Sequence, residues 1–326
     1  MNKVLCLLLS LLSTTAIADQ RSPLIRIGTL AFGTVNWEIA AIRNDGLDKK
    51  FGIALDAQTL ANPEAGKIGL KAGSLDIIAT DWIWVANQAQ TGADYRYIPY
   101  STHAGAVMVG KNSAIQSIVD LRGKRIGIVG GPLDKNWLLL RTYAMEKFNL
   151  DLDTQAEKVF GAPPLLNQQL ADGKLDALVN FWHYATKLEN QGYRKLIDGK
   201  DVVKGLGVAE PMPNVGYVFK QSWASQNGKA LDQFVAASKE ARNLLCTEDS
   251  AWNKVAPLTQ ETDIKAQTTL RKEYCAGVVQ QWTAADRDAA GKVYQLLRKT
   301  GGDELTGKAE RLPMEIFWPY ELKATP

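Results

Sequence analysis

The chain has 326 residues, of which 46% are hydrophobic and 22% are charged, and its formal net charge at pH 7 is +3. This length exceeds the ~250–300 residues at which a single hydrophobic core usually divides, so we expect a globular protein with two lobes. The small net charge, with lysine and arginine scattered along the chain, argues against a nucleic-acid-binding protein.

The first residues have the pattern of a secretory signal peptide. A short positive start at Lys3 precedes an apolar run over residues 4–12, and the small residues Ala16 and Ala18 fit a cleavage site. We therefore expect residues 1–18 to be removed after Ala18 and the protein to be exported to the periplasm. A membrane anchor is the alternative, but the apolar run is shorter than the ~20 residues that span a bilayer.

Strands and helices alternate along the next part of the chain. The patterns predict strands over residues 25–30, 53–60, 76–80, 95–100 and 105–109, with helices over 35–49, 63–72 and 84–89. Such alternation indicates crossover units and a mostly parallel sheet.

The alternation then starts again. It predicts strands over residues 125–129, 156–160, 176–181, 192–197 and 215–220, and helices over 136–148, 163–171 and 184–191. From residue 223 onward the pattern is helical, most clearly over residues 231–245, 264–274 and 284–300. The sequence thus predicts an α/β fold in which lobe 1 contains residues 24–108 and 206–326, lobe 2 contains residues 109–205, and two crossings form a hinge.

Two cysteines follow the predicted signal peptide, Cys246 and Cys275. In an oxidising compartment we expect them to form a disulfide, with two free thiols as the alternative. The only histidines are His103 and His183, which excludes a multi-histidine metal site. We expect no metal and no cofactor.

Several segments resemble a known family. The stretches LKAGSLDIIATD, SIVDLRGKRIGIVGG, NWLLLRTYAMEKFNL and QLADGKLDALVNFW follow one another in the order found in periplasmic substrate-binding proteins of the nitrate, sulfonate and taurine importers. The likeness runs over residues 25–247. It implies the type II periplasmic-binding-protein fold and a protein that delivers a small organic solute to an ABC permease in the inner membrane. We expect a monomer that is not an enzyme.

The loops at the carboxyl ends of the strands are the candidate site, because ligands of open α/β sheets bind there. The candidate ligand-binding residues are Trp37, Asp81, Trp82, Thr102, Asp134, Asn136, Trp137, Phe181, Trp182, His183 and Asn214. Core packing is the alternative for the tryptophans, and helix capping is the alternative for the two aspartates. Trp82 and Trp84 cannot face the same way on a helix, so we expect one in the cleft and the other in the core.

The start of the second lobe departs from the family that it resembles. That family usually has small hydroxyl residues where this chain has Leu133, Asp134, Lys135 and Asn136. A carboxylate at a helix N-terminus satisfies N–H groups that an oxyanion would otherwise occupy, so Asp134 weakens an anion site, whereas Lys135 would restore positive charge if it points inward. Aromatic side chains with carboxylates suit a sulfonate-like, amine or heterocyclic organic solute better than a bare inorganic anion.

The sequence is also compatible with two other functions. A periplasmic sensor subunit would use the same clamp to report a solute to a membrane partner. The thiamine-pyrimidine synthases share the fold and are enzymes, but export and the presence of only two histidines disfavour that function.

Overall fold

The computed structural model describes residues 22–210 and 212–319. The predicted signal peptide, residues 1–18, lies outside the described residues. No helix within these ranges has the length and hydrophobicity that a bilayer-spanning segment requires.

Strands and helices alternate along most of the described chain. The strands are β1 (Leu24–Leu30), β2 (Ala54–Leu60), β3 (Ile77–Thr80), β4 (Tyr95–Ser101), β5 (Ala106–Val109), β6 (Arg125–Val129), β7 (Glu157–Gly161), β8 (Ala177–Asn180), β9 (Arg194–Asp198) and β10 (Val215–Lys220). The helices are α1 (Val35–Asn44), α2 (Leu47–Phe51), α3 (Pro63–Ala72), α4 (Trp82–Ala89), α5 (Lys135–Phe148), α6 (Leu152–Gln155), α7 (Pro163–Ala171), α8 (Trp182–Asn190), α9 (Gly199–Gly205), α10 (Gln221–Gln226), α11 (Gly228–Thr247), α12 (Asp249–Val255), α13 (Ile264–Ala276) and α14 (Ala284–Thr306), the last interrupted at Gly302.

The strands form two five-stranded sheets with the same plan. The first has the order β2-β1-β3-β10-β4, and the second has the order β7-β6-β8-β5-β9. In each sheet the second strand in the order, β1 or β6, runs parallel to both of its neighbours. The fourth strand in the order, β10 or β5, runs antiparallel to both of its neighbours. Two mostly parallel sheets are therefore confirmed.

Strand β5 belongs to the second sheet, so the prediction that it belongs to the first unit is wrong. It pairs with β8 and β9 of the second sheet, while β10 returns to pair with β3 and β4 of the first. The chain changes sheet between β4 and β5 and again between α9 and β10. A short apolar strand fits either sheet equally well, so its hydrophobicity alone does not reveal its partner. The lobe boundaries given above stay a prediction.

Each sheet contains an equivalent ion pair between an arginine and an aspartate. The backbone N–H and Nε of Arg26 donate to Asp76 Oδ2 at 2.8 and 3.0 Å, which joins β1 to the residue before β3. In the second sheet Arg125 makes the equivalent bonds to Asp176 Oδ2 at 2.8 and 3.1 Å. Both pairs lie at the amino ends of the strands, so they fix the register of each sheet without occupying its carboxyl edge.

The C-terminal helices pack against helices of both halves of the molecule. Helix α11 packs against α1, and α13 packs against α8 of the second sheet. Helix α14 packs against α4 on one side and α5 on the other. The carboxyl-terminal part of the chain therefore bridges the two halves of the molecule.

The predicted disulfide between Cys246 and Cys275 is confirmed. It joins the end of α11 to the end of α13.

Replacing both cysteines (C246S/C275S) is expected to lower the free energy of unfolding by about 3 kcal/mol, because the unfolded chain regains the freedom of the closed loop. The loop spans a sequence separation of 29 residues. Urea denaturation of the oxidised protein and the double variant measures the difference. Reductant should destabilise the wild type and leave the double variant unchanged; an equal response of both proteins would contradict this account.

Candidate functional site

A cleft of about 880 Å³ lies between the carboxyl ends of the two sheets. Loops that follow β1, β3 and β4 form one wall, and loops that follow β6, β7 and β8 form the other. This is the position predicted for the candidate site, since parallel strands deliver their carboxyl ends to one edge.

Three helices that face the cleft have N-cap residues whose side chains accept hydrogen bonds from the first turn of the helix. The backbone N–H of Trp84 donates to Asp81 Oδ1 at 2.9 Å at the start of α4. At the start of α5, the N–H groups of Asn136 and Trp137 donate to Asp134 Oδ1 at 2.9 and 3.1 Å. The capping roles considered for both aspartates are confirmed, and contact of either with a ligand stays a prediction. Asn62 caps α3 in the same way.

Asp134 is a partly buried carboxylate whose electrostatics are set by the cleft. Burial raises its pKa, and the neighbouring charge of Asp81 raises it further, while Lys135 and the two capping N–H groups lower it. Asp81 belongs to the first wall and Asp134 to the second, so the two carboxylates interact across the cleft. Gly130, at φ +94°, lets the loop pass close to this carboxylate, because a Cβ there would lie 2.9 Å from Asp134 Oδ2.

His183 joins the two walls. Its Nε2 lies 3.0 Å from the carbonyl oxygen of Phe32 in the loop after β1. A carbonyl oxygen only accepts, so Nε2 carries the proton and Nδ1 is an acceptor. Nδ1 is buried and has no hydrogen-bond partner among the described residues. Burial lowers the pKa of His183 to about 3, helped by the charge of Lys187, so the ring is neutral at physiological pH.

Aromatic rings form much of the remaining surface. Trp182 stacks on His103 with ring centroids 4.2 Å apart, and Phe181 lies beside it on the cleft wall. Trp84 lines the opposite wall and stacks on Tyr95 at 4.9 Å.

The structure brings seven of the predicted residues to the cleft. These are Asp81, Asp134, Asn136, Phe181, Trp182, His183 and Asn214. Asn136 Oδ1 also accepts a hydrogen bond from the N–H of Gly105 at 3.1 Å, and Nδ2 of Asn214 donates to the carbonyl of Thr102 at 3.4 Å. These two side chains therefore lie where the chain crosses between the sheets.

The four other predicted residues do not line the cleft. Trp37 is 3% exposed and packs edge-on against Trp252, and Trp137 is 1% exposed in the core. Trp82 is also buried, and its Nε1 donates to the carbonyl of Pro213, so Trp84 is the tryptophan of that pair that reaches the cleft. Thr102 donates its hydroxyl to the carbonyl of Gly277 at 3.3 Å. The indole ring of Trp37 is buried because side chains of other helices pack on it, including Trp252 of α12 and Tyr274 of α13.

Four further lining residues are absent from the candidates that the sequence offers. Glu304 and Leu305 of α14 line the cleft, although the C-terminal helices carried no motif. Lys67 and Glu64 of α3 also line it and form an ion pair of 2.7 Å. The position of α3 after β2 is a signal that could have identified Lys67, but only the folded chain brings Glu304 to this place.

Comparison with known proteins identifies relatives of this chain. The family model described as NMT1/THI5 like matches residues 49–248. A protein of Escherichia coli (strain K12) named for binding aliphatic sulfonates is 27% identical over 177 residues, which are 53% of this chain and 51% of that protein. The match thus spans about half the length of this curated relative.

Solved structures share the fold over most of the chain. The alkanesulfonate-binding protein SsuA from Xanthomonas axonopodis pv. citri, bound to MOPS, has a TM-score of 0.71 at 19% identity, covering 90% of this chain and 98% of that one. The periplasmic aliphatic sulphonate binding protein SsuA from Escherichia coli also has a TM-score of 0.71 at 19% identity, covering 93% and 94%. The desulfurization enzyme DszB has a TM-score of 0.61 at 13% identity, covering 90% and 95%. The predicted family resemblance and the type II binding-protein fold are confirmed.

The free energy of unfolding is expected to decrease as pH falls below about 6.5, because the unfolded chain protonates both histidines while the folded protein keeps them neutral. Burial lowers the pKa of His103 to about 4 and that of His183 to about 3. Each histidine contributes a slope of up to about 1.4 kcal/mol per pH unit between its folded and unfolded pKa values. Denaturant unfolding at several pH values measures the slope.

The double variant H103Q/H183Q is the control for this pH dependence, because its unfolding free energy should fall less steeply with acid. NMR of the imidazole protons should show neither ring titrating near neutral pH in the folded protein. A ring that titrates near its ordinary pKa would contradict the burial argument.

Asp134→Ala is expected to lower the free energy of unfolding by about 1 kcal/mol, because α5 loses the acceptor for two N–H groups. Asp134→Asn should stay close to the wild type, since an asparagine oxygen caps a helix about as well. Urea denaturation measures both variants. Equal losses in the two variants would show that the charge of Asp134, rather than capping, stabilises the helix.

Proposed function

The chain belongs to the NMT1/THI5-like family, and on that premise we propose that it is the periplasmic solute-binding component of an ABC importer. It closes two lobes around a small organic solute and delivers that solute to a permease in the inner membrane. Its relatives include sulfonate-binding proteins, among them a periplasmic one, and the same kind of role is assigned here to this chain.

The observation that carries the proposal is the cleft itself. It lies between two sheets of the same plan, both of which contribute their carboxyl ends, and within the described residues the chain passes twice from one sheet to the other. Sites of this size bury most of a small organic molecule. A solute held there contacts both walls at once, so its binding free energy favours the closed arrangement of the lobes.

The segments between the sheets supply the hinge in this proposal. One comprises residues 102–105, and the described residues of the other are 206–210 and 212–214. Asn136 and Asn214 bond to the first segment or its flank, so small rotations there change the distance between the walls. The hydrogen bond between His183 and the carbonyl of Phe32 connects the two walls directly.

Export is supported by the pattern of residues 1–18, with its positive start and short apolar run. The Cys246–Cys275 disulfide fits an oxidising compartment. In the periplasm the protein would meet its solute before it meets the permease. The ligand-binding role belongs to Asp81, Trp84, Asp134, Asn136, Phe181, Trp182, His183 and Asn214.

An enzyme on this fold is the second candidate. The similarity to the desulfurization enzyme DszB favours it, as does a neutral histidine in the cleft wall. Among the described residues, however, both cysteines are joined in a disulfide, so neither is a free nucleophile. A sensor subunit would bind the same solute and differ only in its membrane partner.

Protein purified from the periplasm is expected to carry one small molecule per chain, and native mass spectrometry measures the added mass. Adding that solute back to stripped protein should reduce the radius of gyration in small-angle X-ray scattering, because the lobes close. It should also change the tryptophan fluorescence, because Trp84 and Trp182 line the cleft. The solute-loaded protein should stimulate ATP hydrolysis by its permease in membranes.

Trp84→Phe should remove much of that fluorescence change, whereas Trp223→Phe should preserve it, because Trp223 packs at the edge of the first-lobe core. Chemical conversion of the solute on incubation would favour an enzyme. Absence of any bound solute, with no change in scattering, would contradict a solute-binding function.

A further inference from the structure

We propose that the solute presents a cationic nitrogen group to Asp81 and Asp134, and that this pair of carboxylates makes the cleft select amines over sulfonates. The inference rests on the proposed solute-binding function and specifies the chemistry of the solute. One carboxylate belongs to each wall, so a cation between them draws the walls together.

The charges that line the cleft favour a cation. Its acidic residues are Glu64, Asp81, Asp134 and Glu304, and its basic residues are Lys67 and Lys135. Lys67 is already paired with Glu64 at 2.7 Å. No arginine occurs among the described lining residues, so a sulfonate lacks the bidentate partner that suits its geometry.

The helix N-termini that would bind an anion are mostly satisfied. Asp81 and Asp134 each use Oδ1 for capping, and in the described chain neither Oδ2 has a hydrogen-bond partner. Asn62 caps α3, while α7 begins with two prolines that carry no N–H. The N–H donors that an oxyanion needs are therefore occupied or missing at the starts of α3, α4, α5 and α7. Oδ2 of Asp81 and Oδ2 of Asp134, by contrast, are free to accept a hydrogen bond.

His183 gives an independent indication of the same chemistry. Its side chain is 6% exposed and lines the cleft, and its Nδ1 is a buried acceptor without a partner in the described chain. Because Nε2 donates to the carbonyl of Phe32, Nδ1 accepts only. Nδ1 has almost no accessible surface in the open cleft, so a donor on the solute would reach it as the walls close around the solute.

The aromatic rings complete the match to a cation. Trp84 lines the first wall, and Phe181 and Trp182 line the second. The face of an aromatic ring attracts a cation, most strongly when water is excluded. The wall thus offers rings to the apolar part of an organic amine and carboxylates to its charged end.

The test compares three probes of similar size: benzylamine, benzyl alcohol and benzenesulfonate. Each is titrated by calorimetry into ligand-stripped protein purified from the periplasm. Benzylamine should bind roughly tenfold or more tightly than benzenesulfonate, since hydrogen bonds to charged groups are the stronger ones. In Asp81→Asn and in Asp134→Asn, its affinity should fall about tenfold while that of benzyl alcohol is unchanged. Asparagine preserves the caps, so both variants are expected to fold.

Asp263→Asn is the matched control. Asp263 caps α13 by accepting from the N–H of Ala266 at 2.7 Å, and it does not line the cleft. This variant should bind all three probes as the wild type does. Benzenesulfonate binding as tightly as benzylamine, or an unchanged preference in both aspartate variants, would overturn the inference and leave the solute-binding function standing. Failure of all three probes to bind at millimolar concentration would overturn both.

Discussion

Parallel strands end at one edge of a sheet, so the helices that follow them begin at that edge with unsatisfied N–H groups pointing outward. In the part of the chain that the structure describes, six helices have a residue lining the cleft at or next to their N-cap, three in each wall. Which groups accept hydrogen bonds from these N–H groups decides whether the cleft attracts anions. Where solvent or a ligand supplies the acceptors, the edge attracts anions. Here Asn62, Asp81 and Asp134 supply acceptors from the chain itself.

The two halves repeat one construction and differ mainly at this edge. The Arg26–Asp76 and Arg125–Asp176 pairs fix the amino ends of both sheets in the same way. Equivalent positions at the carboxyl ends carry different residues: α1 begins after Thr34 and α5 after Asp134, while α4 begins after Asp81 and α8 after Phe181. The framework is thus shared by both lobes, whereas the chemistry of each wall is set separately. The two aspartates lie in different halves and oppose each other across the cleft.

The carboxyl-terminal helices limit how the halves can move. Helix α14 lies between α4 and α5, and α13 lies against α8. Lys187 of α8 donates to the carbonyl of Thr259 at 2.6 Å, which adds a polar contact on the α13 side. Closure of the cleft must therefore slide or rotate these contacts as well as bend the two crossings. Glu304 and Leu305 line the cleft from α14, so a bound solute also contacts the element that bridges the halves.

The sequence by itself determined the order of strands and helices and the two-part fold, and it offered the disulfide between Cys246 and Cys275 and the capping aspartates as one of two alternatives each. These features depend on local periodicity, on residues next to one another, or on a single pair of cysteines. Tertiary structure decided which sheet receives β5, which tryptophan of α4 faces the cleft, and that α14 contributes to its wall. It also buried Trp37 and Trp137 and left Nδ1 of His183 without a partner. These outcomes depend on which distant surfaces meet, because a side chain is buried or exposed by the element that packs over it and not by its neighbours in the chain.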